Sequence, residues 1–343
     1  MSSGNIRIAI IGGSSLKGKE LADVLHERHF PARDIRLLDD DESIGQLESM
    51  GDEVTFIQSV TPGQLEGVDV VFFASDEVFT RRQWPLARAA GAAMVDLSYG
   101  LEGQGGAVVR APWIERELGR SIAPDLQPAP VVVAHPAAVV LALLLLRAQK
   151  AGRLRLAVAT VVEPASERGR RGMDELHEQT VNLLSFRELP KRVFDSQIAF
   201  NLIARYGENA QGSLQAVERR IFQHFDMITA GLVPAPALLL LQGPSFHGHA
   251  FTVYVEIEQA TSLETFVSTL GGEHIMLAER TEDAPSNVNA AGRDEVLLAV
   301  RQDAANPRGF WLWATADNLR LITLNATECA ESMVAARPKG KVQ

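Results

Sequence analysis

The chain is poor in cysteine, in clustered positive charge and in long apolar runs. A single cysteine, Cys329, among 343 residues excludes an intrachain disulfide and a thiolate-metal cluster. Such a chain suits the reducing cytoplasm. With 33 basic and 43 acidic residues, the formal charge of −10 argues against a general nucleic-acid surface, because phosphate binding needs clustered Lys and Arg. The densest basic cluster, Arg168, Arg170 and Arg171, reads as a solvated loop or a contact to one anion. The longest apolar run, Pro136 through Leu146, is about half of what a bilayer-spanning helix requires, and reads as a helix buried on every side. Ile6–Ile11 is too short for a signal core and runs into glycines. Internal repeats and low-complexity tracts are absent. A soluble, cytoplasmic protein that engages neither membrane nor nucleic acid is expected.

At this length the chain holds two domains, each with its own core. Ile6–Ile11 is β-branched and continuously apolar, as a central parallel strand requires. A glycine turn and a helical pattern through Leu21, Val24 and Leu25 follow, then strands at 34–38, 68–74, 93–97 and 130–134. That alternation predicts a Rossmann-like, doubly wound parallel sheet over 1–138. Beyond it, a long strand at 154–162, a helix at 172–184 and alternation through Phe251, Val253, Val255 and Ile257 predict an α+β domain over 139–319 with an antiparallel strand solvated on one face. A closing helix over 320–338 is expected to complete the first domain, with 337–343 frayed.

Strand, glycine turn and helix together make an anion cradle, since backbone N–H groups at a helix N-terminus face the ligand. Here the turn is Gly12, Gly13, Ser14 and Ser15, with Gly18 one turn on. Two readings stand: a dinucleotide site, or a purely structural turn. A Ser15 side chain would crowd a pyrophosphate, or cap the helix. The second strand leads into four acids, Asp39, Asp40, Asp41 and Glu42. An acid there, assigned to Asp40, accepts hydrogen bonds from an adenosine ribose and repels a 2′-phosphate, favouring NAD over NADP if either binds. A solvated acidic turn accounts for the run equally well.

The segments 11–18, 68–74, 170–176 (Arg-Arg-Gly-Met-Asp-Glu-Leu), 197–201 (Gln-Ile-Ala-Phe-Asn), 246–249 (Phe-His-Gly-His) and 316–320 (Ala-Asp-Asn-Leu-Arg), in this order, resemble the aspartate-semialdehyde dehydrogenase family over nearly the whole chain. The resemblance is strongest to its Usg-type branch, which lacks the catalytic cysteine. It implies a Rossmann-like domain, an α+β dimerisation and catalytic domain, and a homodimer. Active members reduce β-aspartyl phosphate with NADPH through a thioester. The family's Asn-Pro-Asn-Cys falls on His135-Pro136-Ala137-Ala138, so Ala138 stands where the nucleophile belongs, and alanine cannot attack a carbonyl carbon.

The same resemblance places the family's orienting glutamine at Glu163, its carboxylate-gripping arginine at Gln242 and its phosphate-gripping arginine at Glu102. The nicotinamide loop falls on 74–77, with Ser75 at the cofactor and Asp76 and Glu77 following. His249 matches the family's general acid/base, although a structural histidine is the commoner use of such a position; His247 and His135 carry less. Glu218, Arg219 and Arg220 match a further substrate-contacting group, or form a salt-bridged helix face. Ser98, Tyr99 and Ser166 are not adjacent to position 138 and do not replace the thiol.

Two functions follow. One is a pseudoenzyme that folds and dimerises like the family and acts by binding, linked to amino-acid metabolism; its partner would be a small anionic metabolite, another protein, or an active family member in a mixed dimer. The other is an NAD(P)-dependent oxidoreductase with an altered substrate and direct, non-covalent hydride transfer. No metal is expected.

Overall fold

The computed structural model describes residues 6–40, 42–50, 53–120, 129–278 and 284–335. Asp41 and the expected frayed tail lie outside the described residues, as does the end of the closing helix beyond 335. The chain forms two compact units, Met1–Ala134 with Ile322–Gln343, and His135–Leu321.

In the first unit the elements are β1 (Ile6–Ile11), α1 (Leu16–Glu27), β2 (Ala32–Asp39), β3 (Leu47–Met50), β4 (Glu53–Phe56), β5 (Gln58–Ser59), α2 (Pro62–Leu65), β6 (Val70–Phe73), α3 (Glu77–Ala89), β7 (Ala93–Asp96), β8 (Val108–Arg110), α4 (Pro112–Glu117) and β9 (Val131–Val133). Seven of these strands make a parallel sheet in the order β5-β2-β1-β6-β7-β9-β8, while β3 and β4 form a separate antiparallel pair. Ile8, Ile10, Val70 and Phe72 are fully buried, which is why β1 and β6 read as unbroken apolar runs rather than alternating ones. Ile322, Ala326, Cys329 and Met333 join this core from the last helix. The Rossmann-like expectation is met.

The second unit contains α5 (Pro136–Ala151), β10 (Leu154–Glu163), a 3₁₀ turn (Ala165–Arg168), α6 (Gly169–Leu184), α7 (Leu214–Thr229), β11 (Ala237–Gln242), β12 (His249–Ile257), α8 (Leu263–Leu270), β13 (Ile275–Leu277), α9 (Asn287–Ala290), β14 (Val296–Gln302) and β15 (Gly309–Ala316). The last helix, α10 (Asn318–Ala335), begins here and ends in the first unit. The mixed sheet runs β11-β10-β12-β15-β14-β13, antiparallel at its centre. Every residue of α5 from Pro136 to Ala148 is buried. The helix packs against α7, α8, β10 and β12, so its apolar stretch from Pro136 to Leu146 has a partner on each side. No helix of the described residues is long and apolar enough to cross a membrane.

One face of this sheet is open. Ladder pairing aligns Ala237, Val158, Tyr254 and Trp311 in one row, and Leu239, Thr160, Thr252 and Trp313 in the next. Leu239, Trp311 and Trp313 are 47%, 38% and 41% exposed on that face. Thr160, Thr252 and Tyr254 share the two rows with these apolar side chains.

Candidate functional site

The glycine turn is built by backbone approach. Gly12 has φ +95°, and a Cβ on it would sit 2.4 Å from the Ser75 nitrogen; a Cβ on Gly18 would sit 2.1 Å from the Gly12 carbonyl oxygen. Both glycines are therefore required by packing, whether or not a nucleotide binds. The Gly12 and Gly13 N–H groups donate to the Leu38 carbonyl at 2.8 and 3.1 Å. Ser15 caps α1: its hydroxyl accepts the Gly18 N–H at 2.9 Å and donates to the Ala74 carbonyl at 2.8 Å.

The acid that faces this turn is Asp39, not Asp40. Asp39 is 5% exposed and its Oδ2 accepts from the Ser14 N–H at 2.9 Å and the Ser14 hydroxyl at 2.6 Å, while Asp40 is exposed. Counting along the acidic run could not settle this, because strand alternation decides which carboxylate points inward. Asp76, in the loop expected at the nicotinamide, caps α3 by accepting the Phe79 N–H at 2.8 Å. Ser75 is half-buried and meets the turn through its backbone. Glu102 is half-buried in the turn after β7.

In the second unit the positions singled out by sequence meet in one polar network. Gln242, fully buried at the end of β11, donates from Nε2 to the carbonyls of Glu163 and Gly243, both at 2.9 Å. Its Oε1 accepts the Tyr206 hydroxyl at 2.7 Å, and that hydroxyl accepts from Arg168 Nε at 3.3 Å. Arg168 closes the circuit with an ion pair to the buried Glu163 carboxylate at 3.3 Å. Burial is the largest single influence on Arg168 and opposes its charge, but Glu163, Tyr206 and Glu167 together outweigh it and hold the guanidinium protonated. Burial, reinforced by the Glu163 charge, pushes the Tyr206 phenol well above its ordinary value, so it stays a neutral donor. Of the basic cluster read as a solvated loop or a contact to one anion, Arg170 and Arg171 are exposed, whereas Arg168 is turned inward onto Glu163.

Ala138 lies fully buried in the first turn of α5. His135 caps that helix, its Nδ1 accepting the Ala137 N–H at 3.2 Å, and its own N–H donates to Nδ1 of the buried His224 at 2.9 Å. The His135 and His249 rings stand 5.6 Å apart between centroids. His249 begins β12, is 1% exposed, and has no hydrogen-bond partner on either ring nitrogen. Burial lowers its pKa against the opposing charges of Glu167 and Asp317, so the ring is neutral and the 3.8 Å approach of Nε2 to Glu167 is not an ion pair. Glu167 is oriented by Asn318, whose Nδ2 donates to Oε1 at 2.8 Å; Asn318 Oδ1 in turn accepts from the Gly248 N–H and the Ser166 hydroxyl at 3.0 and 3.2 Å.

Sequence reasoning missed Glu167, Tyr206 and Asn318 as members of this region. The first adjoins Ser166 and the last lies in the quoted 316–320 segment, but nothing local marks either as facing His249. Glu218 of α7 secures β11 by accepting the Leu240 N–H at 2.8 Å, which favours the structural use of its cluster. The Ser98 hydroxyl donates to Asp96 at 2.6 Å and Ser166 donates to Asn318, so each hydroxyl is already committed. A surface cleft of about 390 Å³ in the first unit is lined by Arg28, Arg110, Arg116, Glu115 and Glu328. Its charges are paired internally, Arg110 with Glu115 at 2.8 Å and Arg116 with Glu328 at 2.7 Å, so it presents no anion site.

Family comparisons agree with this architecture. Residues 7–119 match the semialdehyde dehydrogenase NAD binding domain, and residues 145–321 match the semialdehyde dehydrogenase dimerisation domain. The chain belongs to the semialdehyde dehydrogenase family. Within it, the chain is similar to the USG-1 protein homologues of Azotobacter vinelandii and Pseudomonas aeruginosa, each 31% identical over 96% of this chain and 98% of the relative. The aspartate-semialdehyde dehydrogenase of Rickettsia conorii is 26% identical over 95% of this chain and 97% of its own length. Among solved structures, a probable aspartate-semialdehyde dehydrogenase from Pseudomonas aeruginosa superposes with a TM-score of 0.83 at 28% identity, covering 96% of this chain and 98% of that one.

Proposed function

We propose that this chain is a pseudoenzyme of the family: a homodimer that acts by binding, with a regulatory link to amino-acid metabolism, and does not reduce acyl phosphates. The observation that carries this reading is the closed circuit of Gln242, Tyr206, Arg168 and Glu163. Where the resemblance places a substrate-gripping arginine and an orienting glutamine, the cation present is already neutralised by a buried carboxylate. An anionic substrate would meet no uncommitted positive charge there. Ala138 adds the absence of a nucleophile, and the one cysteine cannot substitute for it. Cys329 is buried in the α10 segment of the first unit, and burial pushes its thiol up to about 12.

Homodimer formation is supported by the match to a dimerisation domain and by the open sheet face carrying Leu239, Trp311 and Trp313. A nucleotide bound at the glycine turn would be NAD rather than NADP, because the Asp39 carboxylate faces the turn and Asp40 and Glu42 add charge against a 2′-phosphate. The test is an assay of purified protein with aspartate semialdehyde, phosphate and either cofactor, alongside light scattering of the same sample. Dimeric protein without cofactor reduction is expected. NADP-dependent turnover that disappears in His249→Ala would overturn the proposal.

A further inference from the structure

We propose that His135, Glu167 and His249 form a binding site for one divalent transition-metal ion of the zinc class. One ligand atom from each of the three residues can be chosen so that all lie within 4.8 Å of one another. Tetrahedral zinc, with bonds of about 2.0–2.1 Å, holds such atoms roughly 3.4 Å apart, so side-chain closure of about 1.4 Å or less assembles the site. Two imidazoles and a carboxylate are the donor set of borderline ions such as zinc, cobalt or iron, not of calcium or magnesium.

The second observation is His249 itself. A side chain 1% exposed with no hydrogen-bond partner on Nδ1 or Nε2 is an exception to the rule that buried polar atoms are satisfied. Its surroundings are not loosely built. The Gly248 N–H is held by Asn318 at 3.0 Å, and Asn287 Nδ2 donates to the His247 carbonyl at 3.1 Å and to the Gly248 carbonyl. The backbone is clamped and the ring left unsatisfied, which is the arrangement expected when the missing partner is a ligand.

The surrounding groups supply the orientation that metal ligands need. Asn318 fixes the Glu167 carboxylate through Oε1, and Asn318 is itself fixed by two donors. The His135 backbone is anchored on His224. Coordination through His135 Nε2 places the ring proton on Nδ1, so the ion displaces the long 3.2 Å cap contact from the Ala137 N–H. Three protein ligands leave a fourth position for water or a small anion, the arrangement of open rather than purely structural zinc sites. This inference rests on the cluster alone and stands whether or not the protein turns over an aldehyde.

The full-length protein, purified with a chelator and then freed of it, is titrated with Zn²⁺ alone by calorimetry. One ion per chain is expected. His135→Asn keeps a good helix cap while deleting a ligand, and should weaken binding at least a hundredfold, as should His249→Gln. Glu167→Gln should weaken it at least tenfold, and His177→Gln, on the exposed face of α6, should leave it unchanged. Circular dichroism and melting of the metal-free variants confirm that each is folded before titration. Absence of stoichiometric binding to the wild-type chain would show that a water fills the site and would overturn the proposal. So would zinc affinity unchanged in folded His135→Asn.

Discussion

The glycine turn of the first unit and the polar cluster of the second are built on different constraints. In the turn, the glycines are the residues the backbone itself demands. Gly12 and Gly18 admit no side chain because any Cβ would strike main-chain atoms, and Ser15 caps α1. In the second unit the side chains at the positions singled out by sequence are committed largely to one another. Gln242 and Glu163 are tied through Tyr206 and Arg168 into one circuit closed by an ion pair, while neither ring nitrogen of His249 has a hydrogen-bond partner. Packing explains the glycines of the turn but not the unpartnered ring of buried His249, so the second region carries the stronger functional signal.

The largest effect expected from breaking this comparison is in the second unit. Arg168→Ala leaves the Glu163 carboxylate buried without its cation, and such a deletion costs about 3–5 kcal/mol. Adding Glu163→Gln removes the stranded charge and should recover more than half of that loss. Urea unfolding of the single and double variants measures both. Equal stability of the two would show that water, not Arg168, solvates Glu163.

Next comes the turn. Gly12→Ala forces a Cβ against the Ser75 backbone at φ +95°, and should cost about 2–3 kcal/mol. Cys329 offers the readout, since its buried thiol, pushed up to about 12, reacts with a maleimide only when the first unit opens. Labelling in mild urea should therefore begin earlier in Gly12→Ala than in wild type. A smaller effect, about 1 kcal/mol, is expected for Ser15→Ala, which removes the cap and the bond to the Ala74 carbonyl.

These contrasts also show what could be read from the chain alone. Continuous apolar runs located β1 to the residue, and alternation through Phe251, Val253, Val255 and Ile257 located β12 and its solvated face, because both patterns are local consequences of burial. Helix α7 was legible too: Leu214, Val217, Ile221, Phe225 and Ile228 repeat at helical spacing along its buried face. The partners of the site residues were not legible. Tyr206 reaches Gln242 from 36 residues away and Asn318 reaches Glu167 from 151, and no periodicity encodes such contacts. Likewise, whether Asp39 or Asp40 faces the turn depends on the register of β2, which a run of four acids hides.

The smallest expected change is the most informative about chemistry. Ala138→Cys introduces a thiol in the first turn of α5, where the helix N-terminus favours the thiolate. A thiolate alone does not reduce an acyl phosphate; the substrate's anionic groups must be held while the carbonyl is attacked. In this chain Gln242 is neutral and spent on two carbonyls and a phenol, and the Arg168 charge is cancelled by Glu163. Cofactor reduction by the variant with aspartate semialdehyde and phosphate should therefore be indistinguishable from wild type. The triple variant Ala138→Cys, Glu163→Gln, Gln242→Arg distinguishes a missing atom from a rebuilt site. If turnover appears only in the triple variant, the circuit is what silences the chemistry; if Ala138→Cys alone is active, the circuit has no such role and the sulfur was the whole difference.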